Sequence, residues 1–262
     1  MTGSTIRLVA CDMDGTLLND AKEKPADFIP WVVAHPDIRV VIASGRQYAT
    51  LRADFEEIAD RLYYLADNGA LVFYRDELLH VDEIDKAIVM DTLARIDGIT
   101  GMVPIVCGAN SAYMRHSSAD AEANGHMYYK KLAFVEEFAD CVAGDEIVKI
   151  ACFLEKGDPN DVIRRLDGID PGLAAVISGD QWIDILLKGI NKGTGVRAIQ
   201  EKYGILPEES MAFGDFLNDY ELLMACTESY AMANAHPKLK EIAAHETASN
   251  EEDGVMKILR ML

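Results

Sequence analysis

The chain has 262 residues, of which 50% are apolar and 26% charged, as is typical of a globular protein with one large domain or two modest ones. Its formal net charge of −19 makes nucleic acid and anionic membranes unfavourable partners, because the overall field repels phosphate; a small phosphorylated ligand is not excluded. No apolar run is long enough to span a bilayer and the N-terminus lacks a signal-peptide pattern, so we expect a cytoplasmic protein.

The five cysteines are scattered along the chain without any Cys-x-x-Cys pair. This spacing favours neither a disulfide framework nor a structural zinc site. We interpret Cys11 as a buried thiol in a strand rather than as a nucleophile.

Strands and helices alternate in the first third of the chain. Such alternation is typical of parallel strands joined by crossover helices, here with a small hairpin at the end of the region. We predict strands at residues 6–11, 38–43, 63–66, 70–74 and 78–81, and helices near residues 28–33 and 48–59.

The middle of the chain has grouped strands flanked by helices, and the first pattern returns near its end. In the middle we predict helices near residues 85–96 and 160–166, a helical region over 119–141, and strands at 102–107, 112–115, 147–154, 173–178 and 182–187. After it we predict helices near 193–203 and 217–226, strands at 210–213 and 230–232, and two final helical segments. The sequence therefore predicts an α/β core of residues 1–82 and 188–262, with an α+β domain of residues 83–187 inserted into it.

Two carboxylates follow the first predicted strand, in the segment Asp12-Met13-Asp14-Gly15-Thr16. Open α/β sheets bind their ligands beyond the carboxyl ends of the strands, and alternate residues of an extended segment point the same way. Asp12 and Asp14 can therefore face one small site, where one carboxylate attacks and binds a cation while the other moves a proton. An Asp-rich turn without any such role is the alternative.

Polar groups also follow the second predicted strand and precede a late helix. Ser44-Gly45-Arg46 offers a hydroxyl and backbone N–H groups that suit a phosphate oxygen, although for this tripeptide alone a serine helix cap is the better reading. Lys192, among glycines at the start of a helix, could place an ammonium against a phosphoryl group or could lie on the surface.

A further carboxylate lies at a third strand end, in Gly214-Asp215. Asn218 and Asp219 open the next helix, and offsets of three and four residues bring both near Asp215 across the first helical turn. Helix capping is the alternative for Asp219, but it does not explain Asp215. A single shared site explains these polar strand ends better than independent coincidences do.

These segments together resemble motifs one to four of the haloacid dehalogenase-like superfamily. Their order and spacing are similar to those of its Cof-like phosphatases, in which a type IIB cap lies between motifs two and three. The resemblance implies a Rossmann-like core with a parallel sheet, formed by residues 1–82 and 188–262, and an inserted α+β cap of residues 83–187 that determines substrate specificity. It also implies Mg²⁺-dependent hydrolysis of small phosphomonoesters, with sugar phosphates as the expected class, through an aspartyl-phosphate.

The resemblance assigns a role to each motif residue. Asp12 would be the nucleophile and Asp14 the general acid and base, while Ser44, Gly45 and Lys192 would bind the phosphoryl oxygens. Mg²⁺ would be held by the Asp12 and Asp215 carboxylates and the Asp14 backbone carbonyl. The residues expected to orient the metal waters and Lys192 are Asn218 and Asp219.

Two functional alternatives stay open at this point. A sugar phosphomutase of the same superfamily would use the same motifs, and a non-catalytic sugar-phosphate-binding regulator would share the fold. Arg46 could contact the substrate or pair with an acidic neighbour, and the sequence does not indicate an oligomeric state. The candidates for substrate contacts in the inserted domain are Arg115, His116, His126, Tyr128 and Trp182.

Overall fold

The structure, a computed structural model, describes residues 5–262. Its strands are β1 (Leu8–Asp12), β2 (Arg39–Ala43), β3 (Leu62–Ala66), β4 (Leu71–Tyr74), β5 (Glu77–Val81), β6 (Met102–Gly108), β7 (Ala112–Met114), β8 (Leu132–Phe134), β9 (Ile147–Leu154), β10 (Leu173–Gly179), β11 (Trp182–Leu187), β12 (Ser210–Gly214), β13 (Glu228–Ala231) and β14 (His245–Glu246). Its α-helices are α1 (Phe28–Ala34), α2 (Tyr48–Asp54), α3 (Lys86–Asp97), α4 (Ala119–Tyr128), α5 (Phe138–Gly144), α6 (Pro159–Val162), α7 (Lys192–Tyr203), α8 (Tyr220–Met224), α9 (Pro237–Ile242) and α10 (Gly254–Leu259). Short 3-10 helices are Glu56–Arg61, Asp67–Gly69, Ile163–Leu166, Pro207–Glu209, Leu217–Asp219 and Asn250–Glu252.

The described chain divides into two compact units. The core unit runs to His80 and resumes over Asn191–Leu262, and the inserted unit is Val81–Ile190. Assignment of the inserted unit as a cap that determines specificity stays a prediction.

The core unit is built on an eight-stranded sheet with the order β14-β13-β12-β1-β2-β3-β4-β5. The strands from β14 to β3 run parallel, and β4 turns back antiparallel to β3. All residues of β1, β3 and β12 are buried, as expected for strands whose apolar side chains face helices on both sides of a parallel sheet. In the register of this sheet Asp12 lies beside Ala43 and Cys11 lies beside Phe213, so the carboxyl ends of β1, β2 and β12 meet at one edge.

The inserted unit has its own six-stranded sheet, with the order β10-β11-β9-β6-β7-β8. Its strands are antiparallel except for the β7–β8 pair. Apolar residues of one sheet face form a core with α3, α5 and α6, including Leu93, Phe138 and Val162. A smaller cluster, with Ile105 and Tyr129, lies in the same unit. This unit is therefore an α+β structure with its own apolar core.

The predicted α/β architecture with a parallel sheet is confirmed, and β9 and β11 have the predicted bounds. The helical region predicted over residues 119–141 is wrong. It divides into α4, strand β8 and α5. The three residues of β8 pair in parallel with Ala112–Met114, so tertiary strand pairing overrides a weak local preference for helix.

The single helix predicted over residues 48–59 is also interrupted. Helix α2 ends at Asp54, and Phe55 has a non-helical backbone (φ −122°, ψ 30°) before a 3-10 helix begins. Phe55 is buried edge-on against Phe28, with ring centroids 6.1 Å apart, so packing of this ring accompanies the interruption. The two-residue strand β14 at the sheet edge was not predicted from the sequence.

Within residues 5–262, no helix combines the length and apolar character needed to cross a membrane. All five cysteines are buried thiols that form no disulfide within the described residues. Burial raises the pKa of the Cys11 thiol, and the neighbouring charge of Asp12 adds to this rise. The interpretation of Cys11 as a buried thiol in a strand is confirmed.

Candidate active site

Asp12, the last residue of β1, has its carboxylate against the ammonium group of Lys192. Lys192 Nζ donates to Asp12 Oδ1 at 2.5 Å and to Asp219 Oδ1 at 2.6 Å. The Lys192 residue is only 1% exposed, so this ion pair is removed from water. Residues that are 180 positions apart in the chain thus form one buried charge cluster, as the strand-end argument predicted.

Lys192 is the first residue of α7, a position at which a cation is disfavoured by the helix dipole. Two carboxylates compensate for this. The glycines that follow belong to the helix, which was predicted near residues 193–203, and a Cβ on Gly193 would lie 2.2 Å from the Glu221 carbonyl oxygen. Close packing of α7 against α8 therefore requires a glycine here and fixes the position of the lysine.

Asp219 connects Lys192 to the loop that follows β12. One of its oxygens accepts from Lys192, and the other accepts from the backbone N–H groups of Asp215 and Phe216 at 3.0 and 3.1 Å. Asp219 therefore holds both the lysine and the loop, which combines the capping role and the orienting role considered from the sequence.

Burial controls the ionisation of this cluster. It raises the pKa of Asp12 to about 8, with a further rise from the charge of Asp219, while Lys192 acts in the opposite direction. For Lys192, burial alone would lower the pKa, but the charges of Asp12 and Asp219 outweigh burial and raise it. Lys192 therefore stays charged at neutral pH.

Asp215 lies close to Gly15 and Thr16 of the first motif. Thr16 Oγ1 donates to Asp215 Oδ1 at 3.0 Å. Gly15 has a left-handed backbone (φ +84°), and a Cβ there would lie 2.4 Å from Asp215 Oδ2. Burial raises the pKa of Asp215, although the hydrogen bond from Thr16 opposes this rise. A glycine at position 15 therefore lets the Asp215 carboxylate approach the loop after β1.

The Asp14 carboxylate is paired with two cations, Arg46 and Lys22. Arg46 donates two hydrogen bonds to this carboxylate, from Nε to Oδ2 at 3.1 Å and from Nη2 to Oδ1 at 2.8 Å. Lys22 Nζ lies 2.9 Å from Oδ1. Arg46 also donates to Asp54, at 3.1 Å from Nη1 to Oδ2. Of the two roles considered for Arg46, the structure contains the pairing with acidic neighbours.

Ser44 and Gly45 follow β2 at the same sheet edge. Ser44 Oγ accepts from the Arg46 N–H at 3.2 Å, and its own backbone N–H donates to Leu65. In the described part of the chain, no acceptor takes a hydrogen bond from the Gly45 N–H. A hydroxyl and a free N–H at this edge suit an anionic oxygen.

Asn218 contacts Asn68, which was not predicted to belong to the site. Its Nδ2 donates to Asn68 Oδ1 at 3.5 Å, in the turn after β3. The hydrogen bonds of Asn68 and Thr16 were not predicted from the sequence, whereas pairing of Arg46 with an acidic neighbour was one of its two open alternatives. The signal available in the sequence was the pair Asn68-Gly69, which is typical of a turn and does not by itself indicate a site.

The carboxylates at this edge fit a divalent cation. One oxygen each from Asp12, Asp215 and Asp219 lies within 4.8 Å of the others. Asp219 already uses both oxygens, so Asp12 and Asp215 are the better ligands. Of the three, only Asp12 and Asp219 contact the buried lysine, so three carboxylates lie beside one cation, and oxygen ligands with excess negative charge are those that Mg²⁺ prefers.

The candidates in the inserted unit form separate groups. His116 stacks on Phe134 with ring centroids 4.5 Å apart, and His126 lies 5.6 Å from the same ring. Arg115 instead pairs with Asp97 at the end of α3.

The remaining two candidates contact each other. The rings of Tyr128 and Trp182 meet edge-on at 5.2 Å, and Trp182 also lies 5.3 Å from Phe153. Tyr128 is more than half exposed, whereas Trp182 is partly buried. The five candidates thus form two aromatic groups and one ion pair.

Comparison with known proteins identifies the family. The sequence model of the haloacid dehalogenase-like hydrolases matches residues 9–259. The chain belongs to that family. It is 31% identical over 260 residues to a 5-amino-6-(5-phospho-D-ribitylamino)uracil phosphatase of Escherichia coli, with 97% of this chain and 95% of that protein covered.

Other members of the haloacid dehalogenase family share sequence or fold with this one. The HMP-PP phosphatase of Citrobacter koseri is 26% identical over 242 residues, covering 89% of this chain and 86% of that protein. A subclass IIB sugar phosphatase has a similar fold, with a TM-score of 0.77 and 23% identity over 97% of this chain and 98% of that one. The chain is therefore a phosphatase of the haloacid dehalogenase type, and the resemblance seen in its motifs is confirmed.

Proposed function

We propose that this protein hydrolyses small phosphomonoesters, with sugar phosphates as the expected class, in a Mg²⁺-dependent reaction through a phosphorylated Asp12. The observation that carries the proposal is the buried contact of Asp12 with Lys192, beside the Asp215 carboxylate at one sheet edge. A nucleophile, a fixed cation and a second carboxylate are the groups that this reaction needs.

Asp12 is the proposed nucleophile. Lys192 binds one of its carboxylate oxygens, which fixes the side chain and leaves the other oxygen for attack on phosphorus. A bond forms between that oxygen and phosphorus while the bond from phosphorus to the leaving oxygen breaks. Water then attacks phosphorus, the bond to Asp12 breaks, and inorganic phosphate leaves. Division of the reaction into two displacements lowers the barrier of each.

Asp14 is the proposed acid and base. In the first step it gives a proton to the leaving alkoxide, and in the second it takes a proton from the attacking water. Its carboxylate lies in the loop after β1 and is paired with Arg46 and Lys22. After the first step Asp14 is ionised and ready to act as the base, and the proton that it takes from water in the second step restores the acid for the next turnover.

The proposed binding groups for the phosphoryl oxygens are the Ser44 hydroxyl, the Gly45 N–H and the Lys192 ammonium. As the charge on those oxygens spreads during transfer, fixed donors stabilise it without having to reorganise. Lys192 would serve the nucleophile and the phosphoryl group together, with Asp219 keeping the ammonium in place.

Asp12, Asp215 and the Asp14 backbone carbonyl would hold Mg²⁺. The metal would neutralise negative charge, so that an anionic nucleophile can approach a phosphate dianion. Asp219 is proposed to support this arrangement through Lys192 and the Asp215 backbone. Asn218 is proposed to orient metal-bound water together with its contact to Asn68.

The leaving group is proposed to be a small polar alcohol such as a sugar. The names of the relatives support this size class: they act on a phosphoribitylaminouracil, on HMP-PP and on sugar phosphates. The aromatic groups at Phe134 and Trp182 in the inserted unit are the proposed positions for contacts that distinguish one such alcohol from another.

The decisive experiment measures phosphate release from p-nitrophenyl phosphate with and without Mg²⁺. We expect turnover by the wild-type protein with Mg²⁺, and loss of turnover in Asp12→Asn and in EDTA. The matched control is Asp253→Asn, an exposed carboxylate that should leave turnover unchanged. Turnover by Asp12→Asn would contradict the mechanism, and absence of turnover in the wild type would contradict the function.

A panel of phosphorylated metabolites then tests the substrate class through kcat/KM. We expect the highest values for sugar and sugar-alcohol phosphates. Isomerised sugar phosphate that requires a sugar bisphosphate activator would identify a mutase instead.

A further inference from the structure

We propose that Asn68 is a further phosphate-binding residue, whose side-chain N–H₂ group donates to a phosphoryl oxygen beside Gly45. The inference deepens the proposed function and rests on it. In the turn after β3, Asp67, Asn68 and Gly69 all have left-handed backbones, with φ of +47°, +57° and +96°. Consecutive left-handed residues other than glycine are costly, and such strain persists where surrounding contacts hold it.

The turn is tied to the segment after β2 by two backbone hydrogen bonds. Asp67 N–H donates to the Arg46 carbonyl at 3.1 Å, and Asn68 N–H donates to the Ser44 carbonyl at 3.0 Å. The strained turn is therefore held in a fixed position next to Ser44 and Gly45, two of the proposed phosphate-binding residues. Asparagine tolerates this conformation better than most residues, so the backbone alone explains why an asparagine is acceptable here but not what its side chain does.

The side chain of Asn68 lies against Gly45. A Cβ on Gly45 would be 3.1 Å from Asn68 Nδ2 and 3.2 Å from Asn68 Oδ1. The amide thus occupies the space that a side chain at position 45 would fill. Replacement of Gly45 would displace it, which couples the two positions.

The hydrogen bonds of this amide leave its donor available. Asn218 Nδ2 donates to Asn68 Oδ1, which occupies the acceptor oxygen. Among residues 5–262, no acceptor receives a hydrogen bond from Asn68 Nδ2, and the same holds for the nearby Gly45 N–H. Two adjacent N–H donors without acceptors suit a ligand with several anionic oxygens. A phosphoryl group is such a ligand, and the Asn218 contact would hold the amide in the required orientation.

Three variants test this proposal. Asn68→Gly keeps the left-handed backbone and removes the amide, and Asn68→Asp keeps the shape but replaces the donor with a carboxylate oxygen. The matched control is Asp253→Gly, at an exposed left-handed residue with φ +55°. For each protein in Mg²⁺ buffer, calorimetry measures binding of inorganic phosphate, and p-nitrophenyl phosphate gives kcat/KM. Thermal unfolding gives Tm.

We expect Asn68→Gly to weaken phosphate binding and lower kcat/KM by about tenfold, since a hydrogen bond to a charged group is lost. Asn68→Asp should lose more phosphate affinity and more kcat/KM than Asn68→Gly, because its carboxylate repels the phosphate. The Tm of both variants should stay close to that of the control variant. Unchanged phosphate affinity in both variants would overturn the proposal. It would also be overturned if phosphate affinity and kcat/KM fell only in proportion to a fall in Tm. A wild-type protein that binds phosphate but does not turn over would refute the proposed function without refuting this one.

Discussion

Arg46 holds both carboxylate oxygens of Asp14, with its Nε and Nη2 at 3.1 and 2.8 Å from them. Asp54 receives a third hydrogen bond from the same guanidinium at 3.1 Å. A two-pronged contact of this kind fixes the orientation of a carboxylate more strictly than a lysine can. Arg46 therefore orients the residue proposed to move the proton, instead of serving only as a surface charge.

Replacement of Arg46 by alanine should slow the reaction most for substrates with poor leaving groups. A misplaced Asp14 protonates an alkoxide inefficiently, whereas p-nitrophenolate leaves without a proton. We expect kcat/KM to fall about tenfold or more for a sugar phosphate and clearly less for p-nitrophenyl phosphate. Steady-state kinetics with both substrates measures the difference.

The matched control for Arg46 is Arg52→Ala. Arg52 lies on α2 and pairs with Asp60 and Asp76, at 2.9 and 3.0 Å, without any contact to Asp14. If kcat/KM fell equally for both substrates in Arg46→Ala, Arg46 would not act through Asp14. The same would follow if Arg52→Ala also lost more kcat/KM for the sugar phosphate than for p-nitrophenyl phosphate.

Gly15→Ala should damage the site through the position of Asp215. The new methyl would lie 2.4 Å from Asp215 Oδ2, so the carboxylate must move. Gly189→Ala is a matched control, because Gly189 has nearly the same φ, +82°, and nothing within 4 Å of an added Cβ. Both variants carry a backbone cost of roughly 1–2 kcal/mol.

Gly15→Ala alone should also raise the Mg²⁺ concentration needed for half-maximal activity, by about tenfold, as expected when supporting geometry around a metal site is disturbed. Titration of activity with Mg²⁺ measures this. The same Mg²⁺ requirement in both variants would contradict the assignment of Asp215 as a metal ligand.

The strand-end residues could be predicted from the sequence because the sheet determines where they lie. Once β1, β2 and β12 are parallel neighbours, Asp12, Ser44 and Asp215 follow their carboxyl ends and come to one edge. Lys192 contacts Asp12 because α7 begins close to the same edge of the sheet. Strong local patterns and parallel pairing were sufficient for these residues.

Other contacts depend on features that carry little local pattern. The left-handed turn at Asn68 is held by backbone bonds from the neighbouring loop, and the Arg46 contact depends on the path of the chain after β1. Strand β8 is three half-buried residues whose partner, β7, is equally short. Each is determined by tertiary contacts, so a single sequence gives no periodic signal for it.

Lys192→Met should abolish turnover while strengthening the binding of divalent cations. The variant leaves Asp12 and Asp219 without their cation, and the freed oxygens can bind a metal in its place. We expect kcat to fall by a factor of about 10² or more, as when one fixed donor to a developing charge is removed. Calorimetry with Mn²⁺ or Mg²⁺ should give a lower Kd than for the wild type.

The control for Lys192 is Lys202→Met, an exposed lysine in the last turn of the same helix. It should leave kcat and the Kd of the metal unchanged. Weaker metal binding in Lys192→Met would show that Lys192 is needed to build the site and does not compete with the cation.

Without metal, Asp12→Asn should be more stable than the wild type, and this difference in stability should grow as the pH rises. Burial and the charge of Asp219 raise the pKa of Asp12 to about 8, against roughly 3.9 in an unfolded chain. The folded state therefore holds a proton that the unfolded state has lost, so stability from this carboxyl is complete below about pH 4 and is lost as the pH rises to about 8. The asparagine variant does not titrate, and Lys192 keeps its contact with Asp219.

In EDTA, the Tm of Asp12→Asn should exceed that of the wild type by at least about 3 °C at pH 8, and the difference should shrink toward pH 5. Added Mg²⁺ should raise the wild-type Tm more than that of the variant, because a cation stabilises the ionised carboxylate. The exposed control Asp253→Asn should follow the wild type at every pH. A Tm difference that grows as the pH falls would mean that the charged form of Asp12 stabilises the metal-free fold, opposite to the direction given by its burial.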